Sequence, residues 1–146
     1  MRRAGVALYA HLVWATWDRL PLLQGETARQ VYRAIGAKCD ELGVEIVALG
    51  GIEDHVHLLA SMPATLSVAD LVKHVKGASS HLIASQRRDE IDGFFKWQGA
   101  YGACTVSPSA LGEVARYITN QRAHHAAGSL LAELEPLPSL PKEANG

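Results

Sequence analysis

Two cysteines in 146 residues leave little scope for a disulfide framework, and Cys39 and Cys104 fit neither a zinc-binding nor a CxxC redox spacing. They read as free thiols of a reducing cytoplasm, which is the expected location. No apolar run is long enough to cross a bilayer, so no membrane partner is expected. Met1-Arg2-Arg3 ahead of an apolar stretch imitates a signal peptide. His11 interrupts that stretch, Trp17-Asp18-Arg19 follows it and no small-residue cleavage site is evident, so it is not read as one. Surplus charge is also missing. The formal net charge is -1, and composition gives no sign of binding to nucleic acid through bulk positive charge. There is no internal repeat and no Walker-type glycine-rich phosphate loop, so chemistry driven by a nucleoside triphosphate is not indicated.

What is present is an ordinary globular balance, 48% apolar and 20% charged. A chain of this length suits one domain and can bury roughly two-thirds of its unfolded surface. Val6 to Thr16 is rich in β-branched and aromatic residues and reads as a buried strand. Glu26 to Leu42 has helical spacing, with Ala28, Val31, Ile35 and Leu42 on or near one face and Gly43 as its stop. Val44 to Gly50 and His55 to Ser61 form a hairpin over Gly51-Ile52-Glu53-Asp54. Ser67 is an N-cap candidate for a helix from Val68 to Gln86, with Asp70 in a capping-box position. Phe94 to Trp97 and Gly102 to Val106 read as two short strands around a glycine-rich turn. Ser107-Pro108-Ser109 opens a last helix from Ala110 to His125. The order predicts an α+β fold, an antiparallel sheet with helices on one face. Its core is a ferredoxin-like or RRM-like βαββαβ arrangement, followed by a C-terminal helix. Residues 1–128 make the domain, and 129–146, with Pro136, Pro138 and Pro141, a mobile tail.

The sharpest local feature is Asp54-His55-Val56-His57-Leu58-Leu59. Residues two apart on a strand share a face, so His55 and His57 present two imidazoles together while Val56 and Leu58 face the other way. Such a pair can share a divalent metal, and it is equally compatible with two satisfied structural histidines. In the last helix Tyr117 and Gln121 stand four apart, on one face. Tyr117 offers a phenol that can act as a nucleophile and Gln121 a carbonyl oxygen. The competing reading is an amphipathic helix with Val114, Tyr117 and Ile118 in the core and Gln121 at its rim. The central basic residues Lys73, Lys76, Arg87 and Arg88 are either a path for backbone phosphates or a solvated helix face.

Taken in order, His11-Leu12-Val13-Trp14-Ala15-Thr16, Asp54-His55-Val56-His57-Leu58-Leu59, Lys76-Gly77-Ala78-Ser79-Ser80, Tyr101-Gly102 and Tyr117-Ile118-Thr119-Asn120-Gln121 resemble the HUH single-tyrosine transposases. These are small transposases of bacterial insertion sequences, with relatives associated with repeated extragenic palindromes. The resemblance spans residues 6–125. It implies His55, His57 and Gln121 as metal ligands and Tyr117 as nucleophile, with no departure at these four positions. The implied reaction cleaves and rejoins single-stranded DNA near hairpin ends by transesterification through a 5′-phosphotyrosine. Two nitrogens and an amide oxygen suit Mn²⁺ as well as Mg²⁺, which would keep several waters. Lys73, Lys76, Arg87 and Arg88 become DNA contacts. The resemblance also implies a homodimer whose active sites are shared between subunits. His124 and His125 are open between a DNA contact and a solvated helix end.

Three other readings stand beside this one. A relative domesticated by its host would process chromosomal palindromes instead of moving an element. A DNA-binding regulator would have a dead centre, against which all four expected side chains are present. A small metal hydrolase would use His55 and His57 and leave Tyr117 without a role.

Overall fold

The computed structural model describes residues 5–87 and 94–121. The elements are β1 (Leu8–Thr16), α1 (Gly25–Glu41), β2 (Glu45–Ile52), β3 (His55–Met62), α2 (Val68–Arg87), β4 (Trp97–Thr105) and α3 (Leu111–Thr119), with short 3-10 turns at Trp17–Arg19 and Pro108–Ala110. All neighbouring strands are antiparallel in the order β2-β3-β1-β4. This is the strand order of the ferredoxin-like sheet expected from the sequence.

Period two decides which side each strand residue takes. On one side Ala10, Leu12 and Trp14 of β1 join Val56, Leu58, Ala60 and Met62 of β3 in the main core. The helix α1 covers that side with Val31, Ile35 and Cys39, and α2 with Leu71, Val72, Val75 and Ile83. Burial pushes the Cys39 thiol up to about 11, as expected of an inert packed cysteine. Gly43, at φ 74°, ends α1 in the left-handed region that favours glycine. Ser67 caps α2 by accepting from the Asp70 N–H at 3.0 Å. Trp97 anchors β4 beneath α2 by donating its indole N–H to Ser79 Oγ at 2.9 Å.

The helix α3 lies against the opposite side, where Val114 and Ile118 pack on Ala48 of β2 and Leu59 of β3. The helices on one face are therefore α1 and α2, and the C-terminal helix closes the other. A bulge at Val47 prepares this side. Ile46 pairs with Ala60 and Ala48 with Leu59, so one extra β2 residue shifts the phase. Beyond it, Leu49 faces the main core with Leu58, and Gly50 faces α3 beside His57. A Cβ at Gly50 would stand 2.6 Å from the Ile118 carbonyl oxygen. Glycine at this position is what lets the helix backbone approach the sheet.

Two expected elements differ. The two short strands around a glycine-rich turn are one strand, β4, because its residues pair along β1 from Thr16↔Trp97 to Ala10↔Thr105. A bulge between Trp14 and Thr16 absorbs the irregularity. The last helix is interrupted near its end, at Asn120. Thr119 Oγ1 donates back to the Ala115 and Arg116 carbonyls at 3.1 and 3.2 Å, a bond that bends helices. Asn120 then leaves helical geometry, at φ -105° and ψ 26°, and Gln121 is helical again at the end of the described residues. Arg88, His124, His125 and the expected tail lie outside the described residues. Among the described residues no helix is long and apolar enough to cross a membrane.

Candidate active site

The strand β3 carries His55 and His57 onto the α3 side of the sheet, as their spacing predicts. Their ring centroids are 5.0 Å apart and their planes 65° from parallel. Both are buried, at 1% and 0% exposure. The helix α3 brings Tyr117 to them, its ring edge-on to His57 at 6.1 Å between centroids. Past the turn at Asn120, the Gln121 side chain returns to the same place. Its Oε1 stands 3.3 Å from His55 Nε2, while its Nε2 donates to the Tyr117 carbonyl at 3.4 Å. All four residues expected from the resemblance thus converge, drawn from two elements and the turn after the second.

Two further residues belong to the constellation and were quoted in the sequence motifs without a site role. Asp54 Oδ1 lies 2.8 Å from His55 Nδ1. His11, fully buried on β1, shares a 2.8 Å hydrogen bond between its Nε2 and His57 Nδ1, with the rings stacked at 5.0 Å. The signal for Asp54 was adjacency. The signal for His11 was a polar residue at an inward position of an apolar strand, but its partner depends on strand register. His11 pairs with Leu59 and so lies diagonal to His57.

A strained turn supports the Asp54 end. Asp18 and Arg19 both sit at φ 55°, the left-handed region, which costs about 1–2 kcal/mol per non-glycine residue. The turn is held by Asp18 N–H donating to Gln98 Oε1 at 3.1 Å and by Thr16 Oγ1 donating to the Leu20 carbonyl at 2.6 Å. It places the Arg19 guanidinium 3.7 Å from Asp54 Oδ2.

The donor set is chemically suited to a cation. Among the described residues no three of His, Cys, Asp and Glu form a metal-binding cluster. Gln121 Oε1, beside His55, offers a third ligand atom. A neutral imidazole carries one N–H. When His55 Nδ1–H donates to Asp54, His55 Nε2 presents a lone pair toward Gln121 Oε1, itself an acceptor. A cation between two such atoms satisfies both.

The basic residues lie elsewhere. Lys73 is exposed on α2, in the layer on the far side of the sheet from His55 and His57. Lys76 is half-buried, its Nζ donates to the Gln98 carbonyl at 2.6 Å, and burial lowers its pKa. It borders an open cleft between α2 and the start of β4 that Ser80, His81, Phe95 and Lys96 also line. Lys96 Nζ rests 4.0 Å over the Trp17 ring. Arg87 closes α2.

Comparison with known proteins gives the family. The IS200-like transposase family matches residues 5–121. The ISDra2 transposase TnpA of Deinococcus radiodurans is 32% identical over 117 residues, covering 76% of this chain and 81% of that protein. The IS200 transposase of Salmonella typhimurium is 30% identical over 79 residues, 54% of this chain and 52% of its own length. A crystal structure of a Deinococcus radiodurans R1 protein described as a transposase superposes with a TM-score of 0.63 at 32% identity, over 83% of this chain and 96% of the other. A tyrosine transposase solved with a REP hairpin shares the fold, with a TM-score of 0.62 at 14% identity over 89% of this chain and 74% of the other. The family match from residue 5 to residue 121, over the stretch that holds His11, His55, His57, Tyr117 and Gln121, makes this chain a member of the IS200-like transposases, DNA strand transferases.

Proposed function

We propose that this transposase cuts and rejoins single-stranded DNA near hairpin ends, with Tyr117 as nucleophile and a divalent cation, Mg²⁺ or Mn²⁺, held by His55, His57 and Gln121. The observation that carries the reading is the convergence of a phenol, two imidazoles and an amide oxygen in one buried place.

The Tyr117 oxygen forms a bond to the phosphorus of the scissile phosphodiester and the bond to the 3′ oxygen breaks. The phenol loses its proton and the leaving oxygen gains one, which yields a 5′-phosphotyrosine and a free 3′ hydroxyl. A 3′ hydroxyl of another strand reverses the exchange. One ester replaces another, so no triphosphate is needed. A free phenol has a pKa of about 10, so Tyr117 is a weak nucleophile at neutral pH. The bound cation would polarise the phosphate and stabilise the charge that develops on it. Tyr117 is held edge-on to His57, so the helix α3 orients the nucleophile toward the ligand pair. Asp54 orients His55 from behind. Lys73 and Lys76 contact backbone phosphates along α2, Arg87 and Arg88 extend that path, and Lys76 keeps two N–H donors beyond the one given to Gln98.

The test is a covalent adduct. Wild-type protein with a hairpin-bearing single strand and Mn²⁺ should yield a protein–DNA band on a denaturing gel. Tyr117→Phe should yield none while binding the hairpin, and a chelator or His57→Ala should abolish cutting. Robust cutting by Tyr117→Phe overturns the nucleophile, and equal cutting of duplex points to an ordinary nuclease.

The resemblance also points to a homodimer with shared sites, whereas within one chain α3 packs on its own sheet and sets Tyr117 beside its own His57. The joint at Ser107 to Ala110 is where the helix would swing across. Mixing Tyr117→Phe subunits with His55→Ala/His57→Ala subunits decides between them. Restored cleavage means a shared site, and a dead mixture of proven heterodimers means a site within each chain.

A further inference from the structure

We infer that His11 is a positioning residue for His57: its Nε2 accepts a hydrogen bond from His57 Nδ1–H and so leaves the His57 Nε2 lone pair to face the cation. This rests on the metal reading above and deepens it.

A neutral imidazole that binds a metal through Nε2 must carry its proton on Nδ1, and that N–H needs an acceptor to fix tautomer and ring plane. His55 has such an acceptor in Asp54 Oδ1 at 2.8 Å. The atom in the equivalent position for His57 is His11 Nε2, also at 2.8 Å. The reverse direction, with His11 donating, would place the His57 proton on Nε2 and close that nitrogen to a cation.

The two acceptors differ because their surroundings differ. The Asp54 side chain is 26% exposed and has Arg19 3.7 Å away, so its charge is solvated and partly paired. His11 has no exposure. A carboxylate there would be strongly desolvated and would neutralise or require a cation. An imidazole offers an acceptor lone pair without charge, and its stacking on His57 fixes the plane in which that lone pair points. The register of β1 on β3 holds the contact, since Val13 pairs with His57 and His11 lies two residues further along the same face.

The experiment measures Mn²⁺ affinity of the full chain without DNA, by electron paramagnetic resonance of the free ion. His57→Ala serves as the reference for loss of the ligand. His11→Leu should weaken Mn²⁺ about 10–100-fold, the usual effect of removing such a partner. His11→Gln, which can bring a carbonyl oxygen to the place of Nε2, should recover most of that loss. A purely structural role predicts no such recovery. Metal-free thermal melts of both variants report folding separately. Should His11→Leu fail to fold, long-range proton–nitrogen correlation spectra of the Mg²⁺-loaded wild type read the tautomer directly, with the proton expected on His57 Nδ1. Mn²⁺ binding by folded His11→Leu at wild-type affinity, equal weakening by Leu and Gln, or a proton on His57 Nε2 overturns the proposal. Unchanged Mn²⁺ binding by His57→Ala overturns the metal reading itself, and the His11 role with it.

Discussion

The two sides of β3 are equally dry and chemically opposite. Val56 and Leu58 face the main core at 0% exposure, while His55 and His57 face α3 at 1% and 0%. Burial by itself therefore does not separate scaffold from site. What separates them is how each side satisfies its atoms. The α1/α2 side meets apolar neighbours and needs only close packing. On the α3 side the ring nitrogens of His55 and His57 have been taken out of water, and Asp54, His11 and Gln121 stand against them. Polar atoms tolerate such a place only with defined partners, and that requirement gives the site its geometry.

Substitutions on the two sides should therefore fail in different ways. The largest effect is expected at Tyr117→Phe. Cleavage should fall by more than about 10³-fold, with stability changed by no more than the roughly 0.5–1.5 kcal/mol of one hydrogen bond. Single-turnover cleavage and a denaturant melt of the same sample check both halves. Leu58→Ala, one residue from His57 but on the other side, should do the reverse. It should lose about 2–5 kcal/mol of stability and keep near-normal cleavage per folded molecule. A folded Leu58→Ala protein without activity would mean that the two sides are not independent.

Gly50→Ala sharpens the comparison, because the methyl group would meet the Ile118 carbonyl and push α3 off the sheet. It should cost about 1–3 kcal/mol in stability. It should also lower cleavage by about 10²-fold, since a misplacement near 1 Å is enough for that. Wild-type cleavage in this variant would show that the seating of α3 does not matter for the nucleophile. The smallest effect belongs to the far layer. Lys73→Ala should leave stability unchanged and reduce the slope of log affinity against log salt by about 0.9. Lys76→Ala should do the same and also loosen β4 from α2, because its ammonium holds the Gln98 carbonyl. Titrating hairpin binding at several salt concentrations, with melts alongside, distinguishes the two lysines.

Much of this was legible in the chain. The alternation around Asp54 to Leu59 put both histidines on one side, and the spacing of α1 and α2 marked their buried faces. The cap at Ser67 and the stop at Gly43 stand where their residue types require. The single strand β4 was not legible, because the glycines at Gly99 and Gly102 read locally as a turn, and only pairing with β1 holds them extended. The break in the last helix at Asn120 was also hidden. It depends on Thr119 bonding back to its own helix, a choice between local bonds that composition does not settle.

The sequence by itself determined which side chains could act and which would share a face, because those properties depend on residue type and on periods of 2 and 3.6 residues. It placed His55 with His57, and Tyr117 on the same helix side as the approach to Gln121. Only the tertiary structure decided that these two groups meet, since β3 and α3 are brought together by strand order, the Val47 bulge and the close seat over Gly50. It likewise decided that His11 belongs to His57. The contact spans 46 positions and rests on a register in which a slip of one residue would turn His11 toward the other side of the sheet.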